Sequence, residues 1–247
     1  SKLMQSIISD YGAIIIRLPS EIGFLAAEVC QRLNKKYVVE VVACPEDAMV
    51  ALKSLKGFIY SKFIKSVMAT SVWNAYGALY VTNEFLQDKY PTKTDNIVVA
   101  SNVEIDSYAE MAKEFIPKQA PSCVLVGNLD SPHKGYDVLY KSLEILDDLK
   151  LKLDVYLVGA GNRFKKDVNF TSVNVIYTGA LEKENLISLY DRVDFLIQPS
   201  SQEGLPRATI EGMSRALPCI VSNAGGLPEL INKKFVHDKD DFKSLSE

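Results

Sequence analysis

Histidine and tryptophan are nearly missing from this chain of 247 residues, with two of the first and one of the second. His133 and His237 stand far apart and offer no metal-ligand spacing, so each reads as a structural or solvated residue rather than a ligand. Cysteine is sparse too: Cys30, Cys44, Cys123 and Cys219 form neither a CxxC pair nor a compact framework. That pattern argues against a disulfide scaffold and a structural zinc site, and predicts reduced thiols in a cytosolic protein. No GxSxG elbow, Walker loop or HExxH motif occurs. Positive charge is not in surplus: 28 Lys and Arg against 31 Asp and Glu give a net charge of -3. Broad nucleic-acid binding is therefore not expected, while local basic patches stay open. Tyr37 to Cys44 and Ile14 to Ile16, among the longest apolar runs, are far too short to span a bilayer, and no charged-then-apolar segment opens the chain. The expectation is soluble, cytoplasmic residence. Internal repeats and low-complexity tracts are also missing.

What is there is core-forming material. With 47% hydrophobic and 24% charged residues, the chain suffices for one large or two medium domains. Short β-rich runs alternate with longer amphipathic segments, the pattern of parallel sheets with crossover helices. Strands are predicted near Ala13–Arg17, Tyr37–Ala43, Ala78–Thr82, Asn96–Ala100, Ser122–Gly127, Leu153–Gly159, Val173–Thr178, Asp194–Gln198 and Pro218–Ser222. Nine strands exceed one simple wound sheet. Helical spacing is clearest at Tyr136, Leu139, Leu143 and Leu146, and a second helix is predicted from about Ile22 to Leu33. The polar, proline-marked stretch between Asn102 and Pro121 reads as the domain boundary, giving domains 1–115 and 121–247. From Lys53 to Ala69, lysines at 53, 56, 62 and 65 alternate with Leu55, Phe58, Ile59, Phe63 and Ile64. The segment reads as a basic amphipathic helix, either packed on its sheet with the lysines in water or touching a membrane surface.

Four stretches carry chemistry. In Ser201–Glu211, two carboxylates, Glu203 and Glu211, stand eight positions apart across a strand-to-helix junction, with Pro206 suited to the first helical turn. Free N–H groups at that helix start attract an anion, and Glu211 reaches back toward it. The plainer reading is a surface Arg207–Glu211 pair worth about 0.2–0.5 kcal/mol. Glu203, beside Gly204 at the carboxyl end of a strand, sits where open α/β sheets place ligands. Lys134 follows the strand ending at Gly127 and opens a helix; a cation there costs about 0.3–1 kcal/mol unless an anion lies between it and the helix dipole. A phosphate resolves that conflict, and a lysine swinging into solvent is the alternative. Gly159-Ala160-Gly161 resembles the start of a dinucleotide fingerprint, but Phe164 replaces the third glycine and no clear acidic partner follows, so a tight turn competes with it. Gly225-Gly226, ahead of a short helix, permits close approach to a phosphate or sugar, or simply makes a turn.

Taken together, Gly127…Lys134-Gly135, the Gly159–Gly161 turn, Tyr177-Thr178-Gly179, Pro199-Ser200…Glu203-Gly204…Glu211 and Gly225-Gly226-Leu227-Pro228-Glu229 resemble the retaining glycosyltransferases of family 4. The resemblance spans roughly Ser122 to Ile231. More loosely, Asn83-Glu84-Phe85 and the run from Ile97 to Asp106 are similar to the end of that family's acceptor domain and its link to the donor domain. The resemblance implies an α/β, GT-B fold of two Rossmann-like parallel-sheet domains, with 1–115 the acceptor-side domain, incomplete, and 121–247 the donor-binding domain. It implies a retaining hexosyltransferase acting in cell-surface polysaccharide or glycoconjugate synthesis, cytoplasmic or at the inner face of the membrane. Its substrates would be a UDP- or GDP-sugar and a sugar or lipid-linked acceptor, with no cofactor and no metal.

The implied roles fall on single residues. Lys134 with Gly127 would hold the donor diphosphate, helped by the N–H groups of Leu205 and Arg207 beside Gly204. Glu211 would bind the ribose hydroxyls, main-chain groups around Thr178, Gly179 and Ala180 would meet the base, and Glu203 would lie by the transferred sugar. Two departures stand out. Asn128 replaces an arginine usual after the first glycine, and the family's opening strand and glycine-rich acceptor loop are missing, as in a short form or part of a longer protein. They motivate a second reading, a catalytically weak nucleotide-sugar-binding or partner subunit; a sugar-nucleotide epimerase is a third.

Overall fold

Short runs rich in Val, Ile and Leu become the strands, and the segments between them become helices. The computed structural model describes residues 2–50, 54–114 and 116–247; Lys53 and Phe115 lie outside the described residues. The chain divides into two units, Ser1–Asn102 with Glu203–Leu205, and Val103–Gln202 with Pro206–Glu247.

The first unit runs α1 (Lys2–Asp10), β1 (Ile15–Leu18), α2 (Glu21–Arg32), β2 (Val38–Val41), α3 (Pro45–Val50), α4 (Leu55–Trp73), β3 (Gly77–Tyr80), α5 (Phe85–Lys89) and β4 (Ile97–Val99). Its four strands pair in parallel in chain order. Ser20 starts α2 by accepting the Gly23 N–H at 3.0 Å, and Ser54 starts α4 by accepting the Gly57 N–H at 3.0 Å. Each cap satisfies a backbone donor that has no partner inside its helix. Leu18, Val39, Val41, Met68 and Tyr80 are fully buried in one core.

The second unit runs β5 (Ser122–Val126), a 3-10 turn (Pro132–Lys134), α6 (Tyr136–Asp148), β6 (Leu153–Val158), β7 (Val173–Gly179), α7 (Lys183–Arg192), β8 (Phe195–Gln198), α8 (Arg207–Ser214), β9 (Cys219–Ser222), β10 (Val236–His237) and α9 (Phe242–Ser246). Its sheet is wholly parallel, in the order β10-β9-β8-β5-β6-β7. Both faces are covered. Cys123, Leu125, Val155, Leu157 and Ile197 pack with α6 on one side, while Val124, Leu196 and Val221 pack with Leu189 and Tyr190 of α7 on the other. The alternation along β5 and β8 follows from side chains pointing to opposite faces at successive positions. Each leucine buried this way contributes roughly 1.5–3 kcal/mol.

All nine predicted strands form, in two parallel sheets. The structure adds a tenth strand, β10, which two residues among polar neighbours did not announce. It also corrects three local readings. No helix follows the Gly159–Gly161 turn; the chain runs through loop to β7, and Phe164 stacks on the Tyr136 ring with centroids 5.7 Å apart. A dinucleotide fingerprint needs that helix, so the turn reading stands. Pro206 is the cap residue ahead of α8 rather than part of its first turn. The segment after Gly226 is a single 3-10 turn, Leu227–Glu229, with Leu227 fully buried.

Candidate functional site

The order of the second sheet reverses at β5, which lies between β8 and β6. From there the chain builds outward through β6 and β7 on one side, and through β8, β9 and β10 on the other. In open α/β sheets the crevice beyond the carboxyl ends of the strands at such a reversal receives ligands. The loops after β5 and β8 therefore frame the site, and both carry predicted residues.

The loops there are joined backbone to backbone. Gly127 N–H donates to the Val158 carbonyl at 2.9 Å, Leu129 N–H to Ala160 at 2.7 Å, Gly159 N–H to Gly179 at 2.9 Å and Ser201 N–H to His133 at 2.8 Å. Gly135 has φ 77°, and a Cβ there would sit 1.9 Å from the Pro199 carbonyl oxygen; Gly159 has φ 151°, and a Cβ there would sit 1.9 Å from the Gly127 carbonyl oxygen. Only glycine fits either position. The Lys134 stem lies along Gly127, where an added Cβ would be 3.1 Å from Lys134 Cγ and Cδ, and the Tyr136 hydroxyl donates to the Gly127 carbonyl at 2.8 Å. The structure thus brings Gly127 and Lys134 together at the switch point.

Asn128 holds the β5 loop rather than adding charge to it: its Oδ1 accepts the Asp130 N–H at 2.7 Å. The Asp130 carboxylate accepts the N–H groups of Asn162 and Arg163, each at 2.9 Å, and those bonds hold it below the usual carboxylate range. Thr178 and Gly179 close β7. The Thr178 hydroxyl donates to the Gly179 carbonyl at 2.9 Å, and Gly179, with φ 72°, has open space where a Cβ would stand.

Glu211 lies on α8 and lines a cavity of about 330 Å³ with Arg207, Lys183, Tyr190, Asp106 and Arg215. That is the small end of the range for ligand pockets, about 300–1,000 Å³. Burial pushes the Glu211 carboxyl above its ordinary value, while the charges of Arg207 and Lys183 and a hydrogen bond with Tyr190 hold it back. Tyr190 is buried, and its hydroxyl is pushed up by burial and by the Glu211 charge. Lys183 pairs with Asp106 at the rim, and Arg215 Nε meets Asp191 at 2.8 Å. The spacing of Glu203 and Glu211 suggested one bipartite site, but the carboxylates fall in different units. Glu203 is 9% exposed. Glu203, Gly204 and Leu205 group with the first unit, where Leu205 packs on the core and a Cβ on Gly204 would stand 2.2 Å from the Val42 carbonyl oxygen.

Sequence reasoning did not anticipate Asp106, Lys183 or Tyr190. Lys183 and Tyr190 belong to the helix that follows the predicted Thr178–Ala180 segment, so extending that segment by one turn reaches them. His237 is 5% exposed, its Nδ1 lies 2.8 Å from the Asp238 carbonyl, and burial lowers its pKa. Among the described residues, Cys44, Glu46 and Asp47 bring potential metal-ligand atoms within 4.8 Å of one another. Lys65 pairs with Glu46 at 2.9 Å and Lys89 with Asp47 at 2.6 Å, so cations of the chain already answer those carboxylates.

A doubly wound sheet with a cationic loop at its switch point and a carboxylate-bearing pocket alongside defines a nucleotide-binding class of protein. Residues 120–247 match the family of group 1 glycosyl transferases, and the chain belongs to that family. Protein CapJ of Staphylococcus aureus is 32% identical over 245 residues, covering 97% of this chain and 62% of CapJ. The chain thus spans about three fifths of that relative's length. Among solved structures, HepE of Anabaena in complex with UDP superposes with a TM-score of 0.70 at 15% identity, over 100% of this chain and 71% of that one. The lipopolysaccharide outer core galactosyltransferase WaaB superposes with a TM-score of 0.65 at 14% identity, over 99% of this chain and 67% of that one. The fold is the GT-B type, with two parallel α/β sheets.

Proposed function

We propose that this chain is the donor-binding half, with part of the acceptor half, of a retaining family 4 glycosyltransferase. It moves a hexose from a UDP- or GDP-sugar to a sugar or lipid-linked acceptor in cell-surface polysaccharide or glycoconjugate synthesis. The observation that carries the reading is the Lys134 stem lying along Gly127 at the β5 switch point, in the same unit as the Glu211 cavity. The UDP bound to HepE supports the donor class by analogy, and the galactosyltransferase WaaB, which acts on the lipopolysaccharide outer core, supports the acceptor class in the same way.

The chemistry follows from charge. As the glycosidic bond breaks, the leaving nucleoside diphosphate gains negative charge, and Lys134 with the N–H groups of Leu205 and Arg207 stabilises it where it develops. Glu211 accepts hydrogen bonds from the ribose hydroxyls, and the backbone around Thr178, Gly179 and Ala180 meets the base. With the leaving phosphate on the same face as the acceptor, front-side attack retains the anomeric configuration, and Glu203 positions the sugar. The reading calls for no metal and no cofactor, since the nucleotide sugar is itself a substrate. A thermal-shift screen of UDP-, GDP- and ADP-sugars followed by donor turnover tests it: absence of transfer and of donor hydrolysis across all donors sinks the enzyme claim.

Asn128 favours a second reading, because its side chain is spent on the turn with Asp130 and brings no guanidinium to the diphosphate. A nucleotide-sugar-binding or partner subunit would bind a nucleoside diphosphate without turnover, and a companion chain would restore transfer.

A further inference from the structure

Helix α4 has two apolar faces, and only one of them is used. Gly57, Ser61, Ile64, Met68 and Val72 are buried against the first unit. On the opposite side Leu55, Phe58, Ile59 and Phe63 are 77%, 55%, 65% and 61% exposed. With Lys62 they occupy positions i, i+3, i+4, i+7 and i+8, which form a single stripe along a helix. Single exposed leucines are ordinary, but a continuous exposed apolar stripe marks a surface that something covers.

Charge says what covers it. The 19 residues of α4 include Lys56, Lys62 and Lys65 and neither Asp nor Glu. Glu46 of α3, the carboxylate that answers Lys65 at 2.9 Å and Lys62 at 4.0 Å, is recessed, with its side chain 12% exposed against 47% for Lys65 and 65% for Lys62. The outward field of the stripe is therefore cationic. Lys62 Nζ sits 5.5 Å over the Phe58 ring, so charge and apolar surface are interleaved rather than separated. Glu21 and Glu28 of α2 line the groove beside Tyr60 and Phe63 and bound the stripe on that flank. A second copy of this face would set the three lysines against their equivalents, which is unfavourable. No helix among the described residues is long and apolar enough to cross a membrane, so α4 can lie on a bilayer but not span it.

We infer that the outward stripe of α4 is a contact with an anionic bilayer surface, the helix lying in the interfacial plane with Leu55, Phe58 and Ile59 inserted and Lys56 and Lys62 at the headgroups. Interfacial helices combine these two features, buried apolar area and attraction to anionic lipid. The inference does not depend on sugar transfer, because vesicle binding requires neither donor nor turnover.

The test is flotation of the chain with phosphatidylcholine vesicles and with vesicles in which about a third of the lipid is phosphatidylglycerol. The chain is expected to float with the anionic vesicles alone and to be released by salt. Phe58→Ser with Ile59→Ser, and separately Lys56→Glu with Lys62→Glu, should each lower the bound fraction at fixed lipid by about tenfold or more, with an unchanged thermal midpoint because these side chains face water. No binding to anionic vesicles, equal binding to neutral ones, or undiminished binding by both double variants overturns the inference. Sedimentation that finds a dimer lost on Phe58→Ser with Ile59→Ser also overturns it, and assigns the face to a second copy.

Discussion

The two units use one topological device, the parallel sheet with crossover helices, and write their roles in different places. In the second unit the strand-end loops press together so closely that Gly135 and Gly159 have carbonyl oxygens where a Cβ would stand. In the first unit Gly12 has nothing within 4 Å of that position, and its informative residues are side chains on an outer surface, Leu55, Phe58, Ile59 and Lys62. Close backbone approach leaves a chain one residue choice, whereas a surface stripe accepts any large apolar side chain. A family signature is accordingly readable in the second unit and thin in the first.

The sharpest way to break this comparison is to add a methyl group to each kind of glycine. Gly159→Ala forces a contact of 1.9 Å with the Gly127 carbonyl at a φ of 151°, and Gly135→Ala does the same against Pro199 at a φ of 77°. Each should cost on the order of 3 kcal/mol or more in urea denaturation, enough to unfold a marginal domain. Gly179→Ala meets open space and pays only for its φ of 72°, about 1 kcal/mol. Gly12→Ala should stay within about 0.5 kcal/mol of the parent. If Gly159→Ala and Gly12→Ala melt alike, the crowded loop edge is not what holds the second unit together.

Lys134→Ala follows in size. A charge-assisted hydrogen bond to phosphate contributes about 1.5–3 kcal/mol, so UDP affinity by calorimetry should fall roughly tenfold to a hundredfold. Stability should move little, because the lost contact along Gly127 involves only the lysine stem. Unchanged affinity would remove the phosphate role and leave the β5 loop as a structural turn.

These outcomes bear on how far the residues could be read in advance. The nine strands were legible because runs such as Val38–Val41 and Ser122–Val126 are short, apolar and punctuated. β10 was not, since Val236–His237 is too short to show a period. Lys134, Gly127 and Glu211 were legible because strand, loop and helix follow one another in sequence there. Asp106 was not, because it reaches Lys183 across 77 positions and no local pattern encodes that pairing. The outer stripe of α4 was half legible. Its lysines were plain, but with apolar residues on both faces the period does not say which face is buried.

The smallest effect expected concerns Glu211, and it separates binding from stability within one residue. Its native pKa is raised, first by burial, so the ionised carboxylate is a burden on the folded state. The sign follows from linkage. A group whose native pKa lies above its unfolded value, about 4.3 for Glu, favours the fold fully below that unfolded value, and loses that contribution as pH rises through the native one. Glu211→Gln does not titrate, so at neutral pH it should be slightly more stable than the parent, and the gap should close as pH falls toward the unfolded value. UDP affinity should move the other way, weakening because an amide accepts ribose hydrogen bonds less strongly than a carboxylate. Thermal midpoints across pH, measured with and without UDP, check both halves. A variant that is less stable at neutral pH and binds UDP unchanged would make Glu211 a structural partner of Tyr190 rather than a ribose anchor.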